Sequence, residues 1–174
     1  MPSTRSEDWK SNPPYARPKD EPFTNTLRGS CHCGQVVYHL SRDRPLASKY
    51  CHCTDCQTLH GAPFQWAAIF EKHHLAFDRG VEGLAFYSAG DKEPAHGLPC
   101  KVSCARCGSR IMDEGRNMVL LFPALVEFEG DEKVKANFAP EMHIFYTRRV
   151  VDIVDGKPKW AGLNDKSELV GETR

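Results

Sequence analysis

Neither sign of charge predominates in this chain of 174 residues: Lys+Arg and Asp+Glu number 23 each. A chain so balanced has no overall field to hold it on a polyanion, so nucleic acid and anionic membrane surfaces are not expected partners. Long apolar runs are missing too. None approaches the roughly 18 uncharged residues that signal a membrane span, and residues 1–19 contain no apolar core of a secretory signal. A cytoplasmic protein is therefore expected. Evidence for helix is thin, with no long amphipathic segment and no internal repeat.

What the chain does have is cysteine, eight in all. In a reducing compartment disulfides are rare, and thiols serve metal binding or catalysis instead. Cys31-His32-Cys33 and Cys51-His52-Cys53 set thiols two residues apart, a separation suited to chelation and ill placed to staple distant segments.

With 40% hydrophobic residues the chain can bury one core, and a single domain with tails is expected. Residues 1–26 are rich in proline (Pro13, Pro14, Pro18, Pro22), serine and charge and show no apolar period, which predicts a disordered N-terminal arm. The folded domain is expected over residues 27–160 and a polar tail over 161–174. β-branched and aromatic content predicts strands at 35–40, 63–70, around Val102, and at 118–122, 126–128, 143–148 and 150–154. Turn signals such as Arg79-Gly80 and Glu129-Gly130-Asp131 are spaced like the corners of antiparallel sheets. Helix is expected only just after Asp55 and, for a turn or two, over 164–170. The predicted class is mainly β.

Every cysteine falls in one of three clusters: Cys31-x-Cys33, Cys51-x-Cys53-x2-Cys56 and Cys100-x3-Cys104-x2-Cys107. The last contains Cys104-Ala105-Arg106-Cys107-Gly108, which has the form of a zinc knuckle: two thiolates can face one ion, and the glycine lets the backbone turn over it. A structural zinc takes four ligands, so a distant CxC pair is needed to complete it. Spacing alone does not say which pair. If Cys31 and Cys33 complete the knuckle, Cys51, Cys53 and Cys56 form a three-thiolate set with an open fourth position. That partition leaves only Cys100 over and is preferred for its economy. A zinc on three thiolates keeps about one negative charge, which makes it a poor activator of water and a good host for a soft thiol ligand.

These residues resemble the glutathione-dependent formaldehyde-activating family, which shares its domain with centromere protein V. The likeness is carried by Gly29-Ser30-Cys31-His32-Cys33-Gly34, Cys51-His52-Cys53-Thr54-Asp55-Cys56 with Gly61, Cys104-Ala105-Arg106-Cys107-Gly108-Ser109 and His143-Ile144-Phe145. It implies a β-tent of antiparallel sheets with two zinc ions per chain: a structural one on Cys31, Cys33, Cys104 and Cys107, and a catalytic one on Cys51, Cys53 and Cys56. The implied activity is that of a carbon-sulfur lyase similar to S-(hydroxymethyl)glutathione synthase, joining a small thiol such as glutathione to a small electrophile such as formaldehyde. The chain departs from the family's usual text at Gln57-Thr58-Leu59-His60-Gly61. His60 is a candidate proton shuttle, since an unperturbed imidazole titrates near neutrality; a hydrogen-bonded loop histidine is the plainer reading. Two other functions fit the same cysteines: a non-catalytic zinc module for a protein partner, or a carbon-sulfur bond enzyme for a larger metabolite.

Overall fold

Strands dominate because short β-branched and aromatic segments alternate with turns. The computed structural model describes residues 7–171, and among them are eleven strands and two short α-helices. Strands β1 (Leu27–Ser30), β2 (Val37–Leu40), β5 (Leu75–Arg79) and β10 (Val126–Glu127) form a four-stranded sheet in the order β10-β1-β2-β5. A seven-stranded sheet takes β3 (Ala47–Cys51), β4 (Gln65–Glu71), β6 (Leu84–Tyr87), β7 (Cys100–Cys104), β8 (Arg110–Glu114), β9 (Met118–Leu121) and β11 (Met142–Ile144), in the order β11-β3-β4-β9-β8-β7-β6. All pairings are antiparallel except β11 with β3, which is parallel. The mainly β class read from the sequence is thus the class observed.

The core lies between the sheets, with Val36, Tyr38, Leu40 and Leu75 packed in one cluster with Phe70, Val102, Ile111, Met112, Val119 and Leu121. Each such side chain contributes about 1.5–3 kcal/mol on burial. Helix α1 (Thr54–His60) is separated from β3 by two residues, starts two residues earlier than expected, and stops at Gly61 in the left-handed region. Helix α2 (Glu132–Asn137) starts at Asp131, whose carboxylate accepts from the amides of Lys133 and Val134.

Several expectations need correction. Residues 9–15, within the expected arm, are packed on the domain. Tyr15 is buried, stacks on Phe77 at 5.5 Å and donates to Glu114, while Trp9 meets Tyr15, Phe86 and His96. Two large aromatic rings bury enough area to order a segment that has no apolar period. The expected arm's residues 1–6 and the expected tail's residues 172–174 lie outside the described residues. Strand β11 ends at Ile144, because Phe145 turns into the left-handed region and a 3-10 turn follows at Tyr146–Arg148. Residues 150–154 form no strand and leave Val150 and Val154 exposed. Residues 164–170 form turns, with Leu169 bridging back to Trp160.

Candidate functional site

The thiols gather in two places. Cys31 and Cys33 occupy the turn between β1 and β2, where the Gly34 amide returns to the Cys31 carbonyl at 2.9 Å. Cys104 ends β7 and Cys107 sits in the turn to β8, where the Gly108 amide returns to the Cys104 carbonyl at 2.9 Å. Gly34 and Gly108 both have φ of +73°, a conformation that glycine adopts without steric cost. The two turns are therefore alike, and the His32 amide donates to Ser109 Oγ at 3.1 Å to tie them together. Their four Sγ atoms all lie within 4.8 Å of one another, with Cys31–Cys33 at 3.5 Å and Cys33–Cys104 at 3.8 Å. Zinc at about 2.3 Å from four tetrahedral thiolates sets sulfur–sulfur edges of roughly 3.8 Å, so this donor set fits the ion.

The second group comes from a single stretch. Cys51 closes β3, Cys53 caps α1, and Cys56 lies in the first turn of that helix, with its amide donating to Cys53 Sγ at 3.4 Å. The three Sγ atoms lie within 4.8 Å of one another, and Cys51–Cys56 is 3.6 Å. Hydrogen bonds from Cys51 and Cys56 hold the Cys53 thiol far below its usual range, while the same sharing pushes Cys51 and Cys56 up. Three adjacent thiolates repel, and a divalent cation is what lets all three ionise together. The spacing and chemistry of this set also fit zinc.

Gln57 braces the start of α1 by donating to the carbonyls of His52 at 2.7 Å and Arg148 at 2.8 Å. His52, wholly buried, meets His143 Nδ1 through Nε2 at 2.9 Å, and His143 Nε2 meets Asp155 Oδ2 at 3.0 Å. The Asp155 carboxylate accepts the His143 proton, so His143 Nδ1 is the acceptor and His52 Nε2 the donor. Burial is the largest of the causes that push the His52 imidazole down to about 4. The other histidine between two thiols, His32, is exposed.

A cleft of about 290 Å³ opens beside the three thiols, lined by Cys53 and Cys56 and by Pro99, Cys100, Lys101, Asp113 and Leu120 among others. Cys100 is not gathered with the three thiols. It groups with His96 and Glu114 and is pushed up to about 12 by burial and by the Glu114 charge. Glu114 is committed elsewhere: Tyr15, Lys72 and His96 all reach its carboxylate. His60, at the end of α1, packs on Phe122 and is not among the cleft-lining residues; its Nε2 is buried with no hydrogen-bond partner, and burial lowers its pKa. Sequence reasoning missed Lys101 and Asp113, whose only signal was a lysine beside Cys100 and a carboxylate within a strand.

No helix among the described residues is long and apolar enough to cross a membrane. No curated protein matches the chain. A solved structure of a Rhodobacter sphaeroides protein is similar at 22% identity with a TM-score of 0.48, covering 62% of this chain and 94% of that one. The sequence profile described as glutathione-dependent formaldehyde-activating enzyme matches residues 26–148, a span that contains both groups of thiols and the cleft. On that match the chain belongs to the glutathione-dependent formaldehyde-activating enzyme family.

Proposed function

We propose that this chain is a cytoplasmic, zinc-dependent carbon-sulfur lyase that joins a small thiol such as glutathione to a small electrophile such as formaldehyde, and parts them in reverse. Its zinc ions number two, one held by Cys31, Cys33, Cys104 and Cys107 and the other by Cys51, Cys53 and Cys56, within a domain over residues 27–160. The observation that carries the reading is that Cys51, Cys53 and Cys56 form a three-donor group with no fourth metal-ligand side chain gathered in it among the described residues, at the wall of a cleft. Zinc there would supply a soft Lewis acid that favours the ionised form of an incoming thiol.

The chain's own residues do the rest. Pro99 and Leu120 give the cleft apolar wall that limits water around the reacting atoms. Gln57 and the pair His52–His143 fix the Cys51–Cys56 segment, so the three donors keep their spacing. In the forward direction a sulfur–carbon bond forms, the carbon–oxygen π pair moves to oxygen, the thiol loses its proton and the oxygen gains one. His60 is the candidate proton carrier in this reading on its unpaired Nε2, which is buried outside the cleft lining, so its proton must pass through a lining group.

The test measures metal content and turnover together. Wild type is expected to hold two zinc ions per chain and to speed exchange between glutathione and its formaldehyde adduct above the uncatalysed rate, followed by NMR exchange spectroscopy. Cys53→Ser is expected to hold one zinc tightly and to return exchange to background. A wild-type protein with two zinc ions and only background exchange would instead support a non-catalytic zinc module.

A further inference from the structure

Lys101 and Asp113 face each other in register across β7 and β8. Lys101 Nζ lies 2.5 Å from Asp113 Oδ2, which also accepts from Gln65 Nε2 at 2.9 Å, and Gln65 Oε1 lies 3.5 Å from Lys101 Nζ. Only 11% of the Lys101 side chain and 15% of that of Asp113 are exposed, so both charges are largely withdrawn from water. A pair of this kind is a weak source of stability, because desolvation offsets most of the attraction. The other carboxylate oxygen, Asp113 Oδ1, is buried and has no hydrogen-bond partner. Buried carboxylate oxygens are almost always satisfied, and one that is not calls for an explanation, of which a role in binding or catalysis is one. Lys101, Asp113, Cys53 and Cys56 line the same cleft.

We infer that Lys101 and Asp113 form the carbonyl-binding side of the site, with the aldehyde oxygen received by Lys101 Nζ and Asp113 Oδ1. This rests on the thiol-adduct reading above and adds the residues that receive the oxygen. As the thiol sulfur bonds to the carbonyl carbon, the π pair moves onto oxygen, and Lys101 Nζ donates a hydrogen bond to the growing negative charge. The proton that the thiol gave up reaches the oxygen by way of Asp113 Oδ1, and the oxygen becomes a hydroxyl that donates to the carboxylate. In reverse, Asp113 Oδ1 accepts that hydroxyl proton while the carbon–sulfur bond breaks and the carbonyl re-forms. Nothing is oxidised or reduced in either direction. The second carboxylate oxygen is engaged by Lys101 and Gln65, which leaves Oδ1 to the substrate.

The test uses the full zinc-loaded protein with glutathione and formaldehyde. Lys101→Met is expected to lower the catalysed exchange rate about 100-fold, as loss of one donor to a developing oxyanion does elsewhere. Zinc content and the affinity for glutathione alone should stay at their wild-type values. Lys101→Arg, which keeps the donor, is expected to recover part of the rate, and Asp113→Asn to lose about 100-fold, the range of one general acid-base contact at its low end. Catalysed exchange within about threefold of wild type in Lys101→Met would overturn the assignment while leaving the thiol-adduct reading intact. Wild-type exchange no faster than that of Cys53→Ser would remove the reading itself, and the assignment with it.

Discussion

The two groups of cysteines contain the same Cys-x-Cys element and are built in opposite ways. The four-thiol group joins two turns that belong to different sheets, one between β1 and β2 and the other between β7 and β8. The three-thiol group draws every donor from the six residues between Cys51 and Cys56. The first is therefore a clamp between sheets, and what it binds is coupled to the whole fold. The second is a local chelate beside a cleft, and its occupancy is coupled mainly to chemistry. A thiol's role here follows from what its partners connect rather than from its spacing to the nearest cysteine.

The comparison breaks most visibly if the clamp is not needed. Cys104→Ser is expected to lower stability by about 4–5 kcal/mol and to lose one zinc, whereas Cys53→Ser should cost below about 1 kcal/mol and lose the other. Denaturant melts with metal analysis would check both; equal losses would dissolve the distinction. A smaller effect is expected at Glu114, in the cleft wall, where truncation to Ala leaves the half-buried Lys72 and the Tyr15 hydroxyl without their acceptor, at a cost of about 3 kcal/mol. Burial opposes ionisation of Glu114, but hydrogen bonds from His96, Lys72 and Tyr15 prevail and hold its pKa below the ordinary 4.5. The sign follows: its contribution is full above that value and is lost as pH falls through the lowered one, so the Glu114→Ala penalty should shrink in melts below pH 4.5.

The smallest expected effects sharpen the comparison most. Gly34, Gly108 and Gly61 all have positive φ, and an added Cβ would meet nothing within 4 Å at any of them. Alanine at each should cost about 1 kcal/mol of backbone strain alone. Gly34→Ala and Gly108→Ala should weaken the clamp's zinc and leave glutathione binding intact. Gly61→Ala, at the end of α1, should shift glutathione affinity and spare the clamp. Competition with a chromophoric chelator would separate the two.

Much of the site was legible in the sequence because chelating clusters announce themselves locally. Helix α1 and strands β2, β4 and β9 were legible for the same reason, since each carries its pattern within a few residues. Strands β3 and β8 were not: Ala47–Cys51 buries a serine, and Arg110–Glu114 buries a carboxylate whose partners lie in distant segments. Residues 150–154 show the converse. They have two pairs of β-branched residues but no strand to pair with, and β propensity expresses packing on a sheet more than an intrinsic preference. Lys101 and Asp113 were hidden because their meaning lies in the pairing of β7 with β8, which no local pattern reveals. The packing of residues 9–15 was hidden likewise, since Trp9 and Tyr15 find their partners at Phe77, Phe86 and His96.

The contiguity of Cys51, Cys53 and Cys56 also sets a sequence of events during synthesis. Their segment leaves the ribosome complete, and a metal ion can be captured by closing a loop of a few residues. The clamp must wait until Cys107 emerges and then bring Cys33 and Cys104 together across 71 residues. By loop-closure entropy alone that step is about 2 kcal/mol more demanding. When zinc is scarce, nascent chains would thus fill the three-thiol group first, and the slower closing of the clamp would decide how many of them become finished protein.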